Sequence, residues 1–92
     1  MFLVSYDISD DRLRGRVALT LREYGFRRLQ KSVYVGEVSR NVAEMLAIEL
    51  GRLVKGSMCD VRIFPLCRRC YEGLITVSKL EEVEEAEEVI VT

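Results

Sequence analysis

The chain contains no histidine, one proline, one asparagine (Asn41) and one glutamine (Gln30). With no imidazole to activate a serine or cysteine, a nucleophile–base hydrolase has no base. There is no glycine-rich phosphate loop either: Gly15, Gly25, Gly36, Gly51, Gly56 and Gly73 are scattered, as punctuation of helices and turns. No apolar run approaches the roughly 20 residues needed to cross a bilayer. The opening residues lack the basic, apolar and small-residue succession of a secretion signal, so the expected location is the cytoplasm. Scarce amides beside abundant Glu and Arg lean towards a heat-adapted source, where charge networks replace thermolabile side chains. The 3 cysteines pull the other way.

What is present is a soluble, globular balance of 49% apolar and 32% charged residues over 92 positions. That length makes one domain, which hides only about 60 to 65 per cent of its unfolded surface, and association into a dimer would relieve the shortage of core. The formal charge of −1 conceals a division: residues 1 to 70 hold 13 Lys and Arg against 8 Asp and Glu, whereas residues 71 to 92 hold 1 Lys against 7 Glu. A basic body concentrates nucleic acid, and an acidic tail either serves as a solvated linker or docks on a basic partner. The division places a folded domain over 1–78 and an acidic extension over 79–92.

Phe2 to Ile8 reads as a buried strand, and Ser9-Asp10-Asp11 supplies capping oxygens for a helix whose apolar stripe is Leu13, Val17, Leu21 and Tyr24. Gly25 ends that helix. Phe26 to Gln30 and Ser32 to Val38 are β-rich and predict a hairpin, though little turn signal separates them. A second helix runs from Ser39 to about Lys55 with Val42, Leu46, Leu50 and Leu53 on one face, and Gly56 stops it. Cys59 to Leu66 alternates Val61 and Ile63 with Asp60, Arg62 and Phe64, a half-buried strand. Leu74 to Ser78 and Val89 to Val91 predict two more short strands, the latter able to add to a sheet edge, in the same chain or a partner. The order β-α-β-β-α-β with a C-terminal β extension specifies an α+β, ferredoxin-like fold.

Asp7 is the principal candidate for chemistry. A strand ending in Asp before a turn puts a hard oxygen ligand at a sheet rim, and Mg²⁺ prefers one or two carboxylates plus water and phosphate oxygens. The alternative is that Asp7 caps the first helix, as Asp10 and Asp11 are placed to do. Arg14 and Arg16 both avoid the apolar stripe, and either is placed to reach a phosphate or to form a solvated basic face. Arg27 and Arg28 are strand neighbours pointing to opposite sides, so only one can join Asp7.

The succession Val4-Ser5-Tyr6-Asp7-Ile8-Ser9, a basic helix, and Tyr24-Gly25-Phe26-Arg27-Arg28-Leu29-Gln30-Lys31-Ser32-Val33-Tyr34 resembles the Cas-two family, small CRISPR-associated proteins that work beside the Cas-one integrase when spacers are captured. The resemblance runs from Phe2 to about Leu66. It implies a homodimer in which the two Asp7 residues converge to hold Mg²⁺. It also implies that Arg28 is the family's functional arginine and that Tyr6 and Tyr34 are the aromatic positions around the acid. Tyr34 stands where Phe is common, so a role that needs only ring packing survives; otherwise both tyrosines read as core or dimer packing. Gln30 and Ser32 read as satisfying backbone or interface groups.

Cys67-Arg68-Arg69-Cys70 is a lone CxxC with Cys59 as a third thiol, one ligand short of a zinc site within one chain. Thioredoxin-type chemistry calls for a βαβ context absent here. A disulfide, zinc and free thiols all stay open, and Arg68 and Arg69 read as a basic turn. The functional expectation is a dimer that binds duplex DNA with the integrase in spacer acquisition. With it goes a Mg²⁺-dependent endonuclease activity on RNA or DNA in which Asp7 holds the ion and Arg14, Arg16 or Arg28 stabilises the extra charge. The alternatives are a toxin-like ribonuclease of related fold and a ligand-binding ferredoxin-like module.

Overall fold

The computed structural model describes residues 1–80. The elements are β1 (Phe2–Ile8), α1 (Asp11–Glu23), β2 (Arg27–Gln30), β3 (Val33–Gly36), α2 (Arg40–Leu53), β4 (Cys59–Pro65) and a short α3 (Arg68–Glu72). The strands form one antiparallel sheet in the order β2-β3-β1-β4, so the first strand lies between the third and the last. This is the ferredoxin-like arrangement expected from the element order.

β1 writes the two-sidedness of the sheet directly into sequence. Phe2, Val4, Tyr6 and Ile8 are buried, whereas Leu3 and Ser5 are half-buried and Asp7 is exposed. The buried set meets Val17 and Leu21 of α1, Ala43, Leu46 and Leu50 of α2, and Phe26 and Tyr34. Val4, Val17, Leu21 and Leu46 are wholly excluded from solvent, each contributing on the order of 1.5–3 kcal/mol of transfer free energy. Both long helices therefore pack on one side of the sheet, and the side carrying Asp7 is free of them.

Local chemistry fixes the joints. Asp10 caps α1 by accepting from the Leu13 N–H at 3.0 Å, and Ser39 caps α2 by accepting from the Val42 N–H at 3.2 Å. Gly25 follows α1 with φ +88°, a left-handed position that costs glycine nothing. Gly36, at the end of β3, is needed for a different reason: a Cβ there would stand 2.7 Å from the Phe26 ring. The β2–β3 hairpin is formed, with Leu29 bulged out of register between the pairs Arg28–Tyr34 and Gln30–Val33.

Two expectations about the C-terminal third are corrected. Leu74 to Ser78 is not a strand; it pairs with no strand among the described residues, and Ile75 and Val77 are 83% and 94% exposed. β-rich composition makes a strand only where a sheet edge is within reach, and the chain has just left the sheet through α3. Cys67 to Cys70 is the start of that helix, not a simple basic turn. Val89 to Val91 and nearly all of the acidic extension lie outside the described residues.

Candidate active site

Asp7 sits one residue before the end of β1, on the side of the pleat away from the core. The β1–β4 register sets it directly opposite Asp60, with Ser5 opposite Arg62 and Leu3 opposite Phe64. Two carboxylates therefore face the same way across adjacent strands, an arrangement that repels unless a cation intervenes. Arg62 is that cation for Asp60, donating through Nε to Oδ1 at 2.8 Å and through its terminal nitrogen to Oδ2 at 3.0 Å. This bidentate donation holds the Asp60 carboxyl below its ordinary range and holds Arg62 still more firmly protonated. Asp7 has no such clamp among the described side chains, so its oxygens are presented outward.

The neighbouring aromatics occupy the opposite side of the sheet. Tyr6 and Tyr34 stack with ring centroids 6.2 Å apart and planes inclined by 23°. Burial pushes the Tyr6 phenol up to about 12; the Tyr34 hydroxyl beside it adds to the rise, and Arg28 and the Ser32 hydroxyl oppose it. The Tyr6 N–H also bonds the Ser32 carbonyl at 3.1 Å, tying the hairpin tip to the end of β1. Arg22 reaches over from α1 to donate to the Tyr34 hydroxyl at 3.4 Å.

Arg28 pairs in register with Tyr34, which places it on the Tyr6 side of the sheet, while Arg27 pairs with Val35 and lies on the Asp7 side. Within one chain the structure thus brings Arg28 to the tyrosines rather than to Asp7. Arg27, for its part, donates to the Tyr71 hydroxyl at 2.6 Å and lies over that ring at 5.5 Å.

The two α1 arginines divide. The Arg14 guanidinium folds back to donate to the Ile8 carbonyl at 2.9 Å and pairs with Asp11, so it braces the loop that follows Asp7. Arg16 is exposed and lines a groove between α1 and α2 with Glu49 and Arg52. Asp60 and Arg62 went unrecognised in the sequence as parts of this site. The alternation of β4 showed that they point outward, and only the β1–β4 register shows that they face Asp7.

The donor set suits a hard cation held loosely. Among the described residues no group of three or more His, Cys, Asp or Glu side chains is gathered for a metal. With Asp60 engaged by Arg62, Asp7 is the one carboxylate of this pair left to bind a cation, and a hard cation such as Mg²⁺ takes one or two carboxylates beside water and phosphate oxygens.

Comparison with known proteins bears on what this surface belongs to. The sequence profile described as CRISPR associated protein Cas2 matches residues 1–85. A CRISPR-associated endoribonuclease Cas2 of Archaeoglobus fulgidus is 41% identical over 78 residues, spanning 85% of this chain and 83% of that one. Its counterpart in Pyrobaculum aerophilum is 37% identical over 75 residues, 82% of each. A Cas1/Cas2 endonuclease fusion of Thermoproteus tenax is 40% identical over 75 residues, which are 82% of this chain and 28% of the fusion. Of solved structures, Streptococcus pyogenes Cas2 superposes with a TM-score of 0.73 at 20% identity, covering 84% of this chain and 98% of its own. That likeness shows the fold. A hypothetical protein of Thermus thermophilus gives 0.66 at 32% identity over 72% of this chain and 79% of that one. By its profile and its relatives, the chain belongs to the CRISPR-associated Cas2 family.

Proposed function

We propose that the chain works as a homodimer in CRISPR spacer acquisition, holding duplex DNA beside the Cas1 integrase, and that it carries a Mg²⁺-dependent phosphodiesterase site at Asp7. The observation that carries the reading is the position of Asp7, an exposed carboxylate on the sheet face left uncovered by α1 and α2 and beside an acid already neutralised by Arg62. The relatives in Archaeoglobus and Pyrobaculum are named endoribonucleases, and in Thermoproteus the homologous segment is fused to Cas1, which supports both the chemistry and the partner.

In this reading Asp7 and its counterpart in a second copy would hold the ion, which would supply positive charge against the phosphate and make a nearby water more acidic. Arg14 positions the loop behind Asp7 through its bonds to Ile8, Ser9 and Asp11. Arg16 and Arg28, both exposed, supply guanidinium charge to the nucleic-acid backbone. Tyr6 and Tyr34 keep the end of β1 rigid by stacking under it. Because Asp7 is exposed and its substitution leaves no buried group unsatisfied, Asp7→Asn is expected to preserve the melting curve. It is expected to lower Mg²⁺-dependent cleavage of RNA or DNA by at least about 10²-fold, the usual cost of losing a group that stabilises transition-state charge. Cleavage that persists in the variant removes Asp7 from the mechanism.

A further inference from the structure

Cys67 and Cys70 stand apart from the Asp7 site and have no part in the reading above. β4 ends at Pro65, the Leu66 N–H bonds the Met1 carbonyl at 2.8 Å, and the chain turns directly into α3. Cys67 is the residue before the first helical position and Cys70 is the third within it, the two positions that face each other at a capped helix start. The facing is direct here, since the Cys67 sulfur accepts from the Cys70 N–H at 3.2 Å. Both side chains are exposed, whereas Cys59 is partly buried in β4 against the core. A cysteine kept for packing behaves as a small buried apolar residue, and these two do the opposite. The strand-to-helix junction also supplies a local geometry around this CxxC that residue spacing alone does not indicate.

We propose that Cys67 and Cys70 form a redox-active dithiol site, closed to an internal disulfide by a low-molecular-weight disulfide and reopened by the corresponding thiol. The Cys67 thiolate attacks one sulfur of the small disulfide and releases one thiol, giving a mixed disulfide. The Cys70 thiolate then attacks the Cys67 sulfur and releases the second. The protein loses two protons and two electrons, and the small disulfide becomes two thiols. Cys67 is suited to the first attack: the Cys70 thiol, and then the Cys70 backbone N–H, draw its pKa down, and the same contact pushes Cys70 up.

So short a ring adds little as a staple, and its effect is local. Arg68 pairs with Glu37, which follows β3, and Tyr71 holds Arg27 of β2, so the turn bearing the two thiols is also the turn that moors α3 to the sheet. Closing the ring fixes that mooring. The Gly73 N–H, bonded to the Arg69 and Cys70 carbonyls, reports on it.

The test equilibrates the full chain anaerobically in mixtures of reduced and oxidised glutathione, alkylates the remaining thiols and weighs the intact protein. The expected product at the oxidising end is two hydrogens lighter, carries alkyl label on Cys59 alone, reverts on reduction and shows several-fold slower hydrogen exchange at Gly73. Cys67→Ser and Cys70→Ser variants should take up one glutathione instead, and Cys59→Ser should behave like the parent. Three alkylated thiols at every ratio, a bridge that engages Cys59, a bridge between two chains, or thiols protected by a retained zinc ion would each overturn the proposal. Unchanged exchange at Gly73 would overturn its coupling to α3.

Discussion

Successive side chains of β1 meet opposite environments, and Tyr6 and Asp7 show how far one step along the chain changes the chemistry. Tyr6 is buried with its phenol pushed up to about 12 from an ordinary 10.0, so the folded protein holds that proton more tightly than the unfolded chain does. The stabilisation from neutral Tyr6 is complete below pH 10.0 and is lost as the pH rises through about 12, because only the unfolded chain ionises in that interval. Alkaline melts of the parent should therefore fall faster than those of Tyr6→Phe, which has no proton to lose. Equal slopes would show that Tyr6 is not the group responsible. Gly36 is a second position where one atom decides: Gly36→Ala drives a methyl against the Phe26 ring, and the expected loss is about 1–3 kcal/mol in urea melts. Asp7 was legible as a candidate from its place at a strand end, but its exposure and the Asp60 and Arg62 pair beside it were not, since nothing in the sequence states which residue of β4 lies across from residue 7.

Where an element depends on its own residues, local pattern specifies it closely. The stripe Leu13, Val17, Leu21 and Tyr24 faces the core as expected, and Ser39 and Asp10 cap the two long helices. Removing the Asp10 side chain leaves the Leu13 N–H without its acceptor; Asp10→Ala should cost about 1 kcal/mol in thermal or urea unfolding. A loss near zero would mean water replaces the cap. Where an element depends on a neighbour, composition misleads. Leu74 to Ser78 has the composition of a strand but joins no sheet edge among the described residues, whereas Arg68 to Glu72, ordinary in composition, is helical because Cys67 caps it and Tyr71 anchors it on Arg27. The hairpin was expected despite a weak turn signal, and it forms with a bulge at Leu29 and Ser32 at φ +73°, details that no propensity announces.

Taken whole, the molecule presents a helix-covered face and an open face to its surroundings, with basic charge on the body and acid gathered in the tail. If duplex DNA follows the basic body, log affinity should fall linearly with log salt at about −0.9 per phosphate neutralised, and Arg16→Ala, which removes one guanidinium, should flatten that slope by about one unit. Light scattering of the protein without DNA should give twice the mass of one chain; a monomer, or salt-insensitive binding, would count against the proposed adaptor. The amino-acid order by itself settled the periodicities and caps, and with them the ferredoxin-like element order and the place of Asp7 at a strand end, because these depend on residues at most a few positions apart. Only the tertiary structure decided that Asp60 faces Asp7, that Arg28 keeps company with Tyr6 and Tyr34, and that Tyr71 reaches back to Arg27. Each of those arrangements is set by the register between strands, or by the docking of a helix on a sheet, across stretches of chain too long for any local pattern to encode.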